Sequence, residues 1–155
     1  MFALRPAAID DAEALLGVIN RAYEVEKFFI PDDRISPDEL ARLYAKGAFL
    51  VGADADTIAA CVYVEIRGKR AYFGLLAVNP DQQGRGWGRR MVEAAEAHAR
   101  AAGCAAMDIR VVNLRTELPP FYRKLGYSET GTEPLVDPRL TQPAYFVLMS
   151  KVLDS

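Results

Sequence analysis

Residues 81–90 read DQQGRGWGRR, so that glycines at positions 84, 86 and 88 alternate with larger residues. A glycine costs about 1 kcal/mol relative to alanine inside a helix or strand. Three glycines this close together therefore predict a loop in which the backbone adopts a special geometry or lies against a ligand.

The flanks of this glycine-rich loop predict a strand before it and a helix after it. Ala71–Val78 is an apolar run of strand length, and apolar residues then recur at helical spacing as far as Ala102, before a further strand at Ala106–Val112. This order predicts a right-handed crossover between two parallel strands. The free amides and the positive dipole end of the helix would form an anion site suited to a pyrophosphate, which Arg85 and Arg89 make more positive. A simple strand-to-helix turn with solvated arginines is the alternative.

The rest of the chain predicts a single α/β domain over residues 1–155. Ala48–Ala53 and Ile58–Ile66 read as strands, and the turns that join them to Ala71–Val78 are short, so the three strands should form an antiparallel meander. The other predicted elements are a strand at Phe2–Leu4, a helix from Asp10, a helix from Ser36 to Gly47, a short helix at Pro120–Leu125 and a final strand at Tyr145–Val152.

Composition narrows the function classes. The 155 residues are 51% hydrophobic and 26% charged, and the net charge of −2 argues against binding nucleic acid through bulk charge. We find no apolar run long enough to span a membrane and no apolar region of a signal peptide near the first residue. Cys61 and Cys104 are expected to be buried thiols in a reducing cytoplasm. With one histidine, the chain cannot form a multi-histidine metal site, and no metal is expected.

The glycine-rich loop matches neither of the common nucleotide signatures. The Walker pattern is absent, and Arg89 stands where the dinucleotide pattern requires its third glycine. Instead, Leu76–Pro80 followed by Gln83–Gly88 resembles the acetyl-CoA signature of the GCN5-related N-acetyltransferases. Asn113 and the segment Phe121–Tyr127 resemble a second region of that family, in the expected order. The element order agrees along almost the whole chain.

The resemblance implies a fold and a co-substrate. The fold would have a mixed, mostly antiparallel central sheet with a splayed parallel strand pair and helices on both faces. The activity would be transfer of an acetyl group from acetyl-CoA to an amine by direct attack in a ternary complex, with acetyl-CoA lying between the splayed strands. The implied acetyl-CoA contacts are Leu76, Ala77, Val78, Gln83, Gly84, Arg85, Gly86, Trp87, Gly88, Arg89, Asn113 and Tyr122.

Acetyl transfer also needs an acid for the departing thiolate and a base for the amine. The resemblance makes Tyr122 the acid; packing as a core aromatic is the alternative. Asp108 occupies the position of a catalytic glutamate in some relatives, and strand alternation places it on one face with Arg110. An ion pair with an arginine would make Asp108 a weaker base. Glu65, or a water chain without a dedicated carboxylate, remains an alternative.

The acceptor is expected beside two irregular segments, Tyr23–Arg34 and Pro134–Pro143. The first combines acidic and aromatic residues, which suits a cationic amine or a peptide N-terminus, although a solvated loop is the simpler interpretation. Glu117 and Glu133 flank the same site. Two further hypotheses stay open: an acyl-CoA-binding sensor or scaffold with little turnover, and a homodimer that uses the C-terminal strand as a sheet edge.

Overall fold

A computed structural model describes residues 2–154. Within this range the chain forms one seven-stranded sheet and four α-helices, joined by loops and short 3₁₀ turns. In chain order the elements are β1 (Phe2–Pro6), α1 (Ala12–Ala22), α2 (Pro37–Lys46), β2 (Ala48–Asp54), β3 (Thr57–Arg67), β4 (Arg70–Val78), α3 (Trp87–Ala101), β5 (Ala106–Val112), α4 (Leu118–Lys124), β6 (Ser128–Pro134) and β7 (Tyr145–Val152).

The strand order across the sheet is β1-β2-β3-β4-β5-β7-β6. Every neighbouring pair is antiparallel except β4 and β5, which are parallel and connected through α3. The predicted meander of β2, β3 and β4 and the predicted helical crossover between parallel strands are therefore confirmed, while its right-handedness stays a prediction. The predicted fold class, a mixed and mostly antiparallel sheet with one parallel pair, is confirmed with them.

The parallel strands separate soon after they start. Residues 70–72 of β4 pair with residues 106–108 of β5, and the ladder goes no further. A bulge in β4 follows, where Leu75 and Leu76 together oppose Val62 of β3 and Leu75 takes a φ of +52°. Because the bulge inserts one residue, it reverses the faces of the remaining strand, so that Leu76 and Val78 turn toward α3. The second half of β4 thus borders an open cleft.

Apolar side chains fill both faces of the sheet. One core joins the sheet to α3 and α4 and contains Trp87, Met91 and Tyr122. The other joins it to α1 and α2 and contains Leu15 and Leu40. Helices therefore cover both faces, as expected.

The start of α2 forms as its sequence predicts. Ser36 is the N-cap, its hydroxyl accepts a hydrogen bond from the Glu39 amide at 3.1 Å, and Pro37 is the first helical residue. No helix among residues 2–154 combines the length and the apolar character that crossing a membrane requires.

The C-terminal part of the sheet differs from the prediction. Ser128–Pro134 forms β6, which the sequence does not predict because every residue of it is exposed and its SETGTEP sequence lacks apolar alternation. β6 pairs with β7, so the final strand lies inside the sheet between β5 and β6. The expectation that the C-terminal strand is a sheet edge is wrong; β1 and β6 are the edges.

Trp87 fixes the glycine-rich loop to the sheet. Its indole is 1% exposed and lies against Gly52 of β2, where an added Cβ would sit 2.3 Å from Cζ3 of the ring. The absence of a side chain at Gly52 therefore creates the space that Trp87 fills.

We predict that Gly52→Ala lowers the free energy of unfolding by about 1–3 kcal/mol, because overpacking forces the buried indole to move. Gly17→Ala is the control: Gly17 is exposed in α1 with no atom near the position of the added Cβ, and the change should stabilise by up to about 1 kcal/mol. Urea denaturation of both variants measures the difference. Equal stability of Gly52→Ala and the parent would contradict the packing account.

Candidate active site

The glycine-rich loop delivers the start of α3 to the open cleft. Gly84 and Gly86 have φ values of +81° and +77°, which favour glycine, and Gly86 is the N-cap of α3. The first helical hydrogen bond runs from the Arg90 amide to the Gly86 carbonyl at 3.2 Å. The amides of Gly88 and Arg89, which lie in the first turn, therefore have no acceptor within the helix. They form a positive helix N-terminus of the kind that binds phosphate groups.

A cavity of about 530 Å³, which we call the cofactor cavity, lies between this helix start and the separated end of β4. Residues of the glycine-rich loop, of β4 and of α4 line this cavity. Of the residues predicted to contact acetyl-CoA, it is lined by Leu76, Ala77, Val78, Gln83, Gly84, Gly86, Trp87, Gly88, Arg89 and Tyr122. The other lining residues are not predicted to contact acetyl-CoA, although Tyr23 and Glu117 are expected at the acceptor side: Ala22, Tyr23, Arg115, Glu117, Leu118 and Phe121.

Two residues predicted to contact acetyl-CoA do not line this cavity. The Arg85 guanidinium donates to the Gln82 side chain at 3.1 Å. The Asn113 side-chain oxygen accepts a hydrogen bond from the Tyr145 backbone amide at 2.8 Å, and the Asn113 backbone amide donates to the Tyr145 carbonyl at 2.9 Å. Asn113 thus holds the end of β5 against the start of β7. The side chains of Asn113 and Arg85 are thus engaged elsewhere, and their contacts with acetyl-CoA, which for Arg85 would be made by the backbone amide, stay predictions.

Tyr122 lies where the cofactor cavity meets the space between β4 and β5. Its ring packs with Phe73, Phe121 and Tyr127 at centroid distances of 5.9, 5.0 and 6.0 Å. Burial raises the pKa of the phenol above its ordinary value. Among residues 2–154, no side chain or backbone group forms a hydrogen bond to the hydroxyl. The phenol is therefore protonated at neutral pH, and Tyr122 lines the cavity without an internal hydrogen bond.

Asp108 lies at the closed end of the strand pair, opposite Tyr72. Both of its carboxylate oxygens accept from the Arg70 guanidinium, at 2.6 and 2.8 Å, and the Ser150 hydroxyl donates to it at 2.5 Å. The hydrogen bonds from Arg70 lower the pKa of Asp108. The face shared with Arg110 is as predicted, but Asp108 does not line the cofactor cavity and does not meet Tyr122 there. This geometry does not support the base role.

Glu65 is also engaged away from the cleft. Its carboxylate accepts from the Tyr63 hydroxyl and from Arg67, each at 2.8 Å. It lines none of the cavities that border β4 and β5.

The two segments expected at the acceptor side contact each other. Thr141 donates its amide to the Phe29 carbonyl and its hydroxyl to the Phe28 carbonyl, both at 3.0 Å. The two phenylalanines of the first segment differ in burial: Phe29 is fully buried in the core, and Phe28 is 55% exposed. Most of the acidic groups in these segments have partners, since Asp33 pairs with Lys27, and Arg139 pairs with both Asp32 and Asp137.

Two smaller cavities open on this side, of about 90 Å³ between β4 and β5 and about 250 Å³ beyond it. Tyr23 lines both of them and the cofactor cavity, so the three spaces meet at this residue. Glu26 lines the two smaller ones and accepts from Arg115 at 2.8 Å. The two side chains are 12% and 15% exposed. Burial raises the pKa of Glu26, and Arg115 only partly offsets that effect.

Comparison with known proteins agrees with this geometry. A family model for the acetyltransferase (GNAT) domain matches residues 45–129. Glucosamine 6-phosphate N-acetyltransferase 1 of rice is 30% identical over 142 residues, which cover 85% of this chain and 84% of the rice protein. This chain belongs to the GNAT family of acetyltransferases. It is an acetyl-CoA-dependent N-acetyltransferase, as the glycine-rich loop and the Tyr122 region predict.

Solved structures show the same fold in the family. The ribosomal-protein-S18-alanine N-acetyltransferase of Escherichia coli matches with a TM-score of 0.85 and 18% identity, over 100% of this chain and 96% of that chain. The yncA acetyltransferase of Salmonella typhimurium, solved with acetyl-CoA, matches with a TM-score of 0.78 and 21% identity, over 99% and 95% of the two chains.

We predict that Gly86→Val weakens acetyl-CoA binding at least tenfold, because valine disfavours the positive φ that orients the first amides of α3. Isothermal titration calorimetry with acetyl-CoA measures the change. Gly103→Val is the matched control: Gly103 follows α3 with a φ of +85° and open space around it, far along the chain from the loop. Both variants should lose similar stability, and only Gly86→Val should lose affinity. An unchanged affinity in Gly86→Val would contradict the loop's role.

Proposed function

We propose that the protein acetylates a primary amine by direct attack on acetyl-CoA, with both substrates bound together. The observation that supports this most is the meeting of three cavities at Tyr23: a large one at the helix start, and two smaller ones on the opposite side of the splayed strands. Acetyl-CoA would take the large cavity and the amine would enter from the other side. The whole chain would act as one acetyltransferase domain.

In this proposal the backbone of the glycine-rich loop and of β4 holds acetyl-CoA. The amides between Gly84 and Arg89 would bind the diphosphate. The unpaired edge of β4 beyond Tyr72, at Leu76 and Val78, would pair with the pantetheine arm, and the Val78 amide would polarise the thioester carbonyl. Acetyl-CoA supplies the activated acetyl group. The cavity fits such a ligand, because the start of α3 and apolar residues of β4 both line it.

Tyr122 would donate its proton to the thiolate that leaves. Tyr122 lines the cofactor cavity, and its raised pKa keeps the phenol protonated until the more acidic thiol is released as an anion. Proton transfer from phenol to thiolate is unfavourable at equilibrium in water, so the role depends on positioning at the moment of bond cleavage.

We predict that Tyr122→Phe lowers kcat about 100-fold while the Kd for acetyl-CoA changes by no more than a few-fold, because only the acidic proton is removed. Tyr127→Phe is the control, since Tyr127 is equally buried but donates its hydroxyl to Glu96 at 2.7 Å. It should cost stability and leave kcat unchanged. Wild-type kcat in Tyr122→Phe, measured by release of CoA thiol, would remove Tyr122 as the acid.

For the base we propose Glu26 in place of Asp108. Glu26 Oε2 accepts from Arg115, and no donor among residues 2–154 reaches Oε1 within hydrogen-bonding distance. The carboxylate borders the space between β4 and β5 from which the amine must attack. Its raised pKa makes it a stronger base than an ordinary glutamate, whereas the Arg70 pair makes Asp108 a weaker one.

Replacing each carboxylate with the corresponding amide distinguishes Glu26 from Asp108 as the base. Glu26→Gln should lower kcat/KM at least tenfold and remove the low-pH limb of its pH profile, since this limb reports ionisation of the base. Asp108→Asn should lower stability through loss of the Arg70 pair and retain that limb. The reverse assignment of the two effects would restore Asp108 as the base.

The identity of the acceptor needs a screen. The rice relative is named for glucosamine 6-phosphate and the Escherichia coli structure for an alanine of ribosomal protein S18, so a sugar amine and a peptide amine should both be included. Thiol release that depends on an added amine supports the enzyme. Saturable acetyl-CoA binding without release from any amine would favour the alternative, an acyl-CoA sensor or scaffold.

We propose acetyl-CoA and the amine as the binding partners, without nucleic acid or membrane, in line with the net charge of −2. The free, buried thiols of Cys61 and Cys104 suit a reducing compartment such as the cytoplasm. A homodimer remains a prediction, and an edge-to-edge dimer would use β1 or β6 because β7 is internal.

A further inference from the structure

The smallest cavity, between β4 and β5, carries both signs of charge. Its charged lining residues are Glu26, Arg34 and Arg110. Tyr23, Phe146 and the separated strands enclose the rest. An amine alone would need only the carboxylate, so the arginines need a separate explanation.

The carboxylate and one arginine already have counter-ions. Glu26 is balanced by Arg115 at 2.8 Å. Arg110 pairs with Glu133 at 3.2 Å and stacks over the Phe146 ring at 4.4 Å.

Arg34 differs from these residues. Within residues 2–154 it forms no hydrogen bond and no ion pair within 4 Å, although Asp32 and Asp33 are its sequence neighbours. Its charge acts on the carboxylate of Glu26, where burial raises the pKa and Arg34 opposes that effect without direct contact. Its guanidinium lies over the Tyr23 ring at 5.3 Å, which holds it at the point where the cavities meet. The Arg34 side chain is exposed, so its N–H donors can bind a ligand in the planar arrangement that suits a carboxylate or a phosphate.

The other acidic residues that line the cavity of about 250 Å³ do not form ion pairs with Arg34. Asp32 and Asp137 pair with Arg139, and Asp33 pairs with Lys27. Glu39 lies at the start of α2, where its carboxylate is 3.4 Å from the Ser36 hydroxyl.

We propose that the acceptor carries an anionic group, a carboxylate or a phosphate, close to its amine, and that Arg34 binds this group. Glu26 would face the amine while Arg34 binds the anion, since both residues line the same small cavity. The chemical class is thus an amino acid or an amine that bears a phosphate. This inference rests on the proposed function, since it names the class of amine that the acetyltransferase accepts.

Pairs of acceptors that differ only in the anionic group test this inference. One pair is methionine and methioninamide; the other is glucosamine 6-phosphate and glucosamine. We expect the anionic member of one pair to have a kcat/KM at least about tenfold higher, as a charge-assisted hydrogen bond would give. The pair that responds distinguishes a carboxylate from a phosphate.

Arg34→Gln should bring that ratio close to one, and Arg34→Lys should retain part of it because the charge remains. Arg42→Gln is the matched control: Arg42 is exposed on α2 and lines none of the three cavities, so the wild-type ratio should persist. A ratio near one in the parent protein that still acetylates uncharged amines would overturn the inference and leave the proposed function intact. A full ratio in Arg34→Gln would also overturn it. Failure to acetylate any amine, with acetyl-CoA binding intact, would reject both proposals.

Discussion

The separation of β4 from β5 is the constraint on which the rest of the structure depends. The two strands share a ladder only over residues 70–72 and 106–108, and the bulge at Leu75 and Leu76 then turns β4 away. In a continuous sheet, the backbone of β4 would be used for pairing and there would be no cleft. Here the strand edge remains available, and the crossover brings the start of α3 beside it. One irregularity in a regular sheet thus creates space for a long, extended co-substrate.

Burial and ion pairing set the protonation states and positions of the side chains on the other side of the cleft. Tyr122 is buried among aromatic rings, which keeps its phenol protonated. Glu26 and Arg115 are separated by 89 positions and form a largely buried pair that links the two substrate sides. A buried pair contributes little net stability by itself. Its place between the cavities that Arg115 and Glu26 line is consistent with a role in positioning. Asp108 forms an equally short pair, but at the closed end of the strands, where it joins β4, β5 and β7.

Sequence patterns predict much of this fold, because they depend on local periodicity. The bounds of β5 and β7 agree with the apolar runs, and the cap at Ser36 forms as its residues indicate. β6 could not be found in this way, since all of its side chains are exposed and no apolar alternation marks it. The bulge in β4 is equally hidden: the apolar run continues through it, and only the pairing with β3 reveals the inserted residue.

For the site, too, local motifs could be predicted from the sequence and contacts between distant residues could not. Residues whose role would depend on the backbone of one continuous motif, such as Gly84 and Gly86, lie at the cavity as predicted. The distant partners that engage Asn113 and Asp108, Tyr145 for one and Arg70 for the other, cannot be read from local sequence.

The central claim is that the amides between Gly84 and Arg89 hold the diphosphate of acetyl-CoA. A crystal structure of the complex with CoA tests it most directly. The account predicts diphosphate oxygens within hydrogen-bonding distance of these amides, at about 2.7–3.2 Å, with the pantetheine arm along the open edge of β4. A diphosphate bound elsewhere, with the start of α3 facing only solvent, would contradict it.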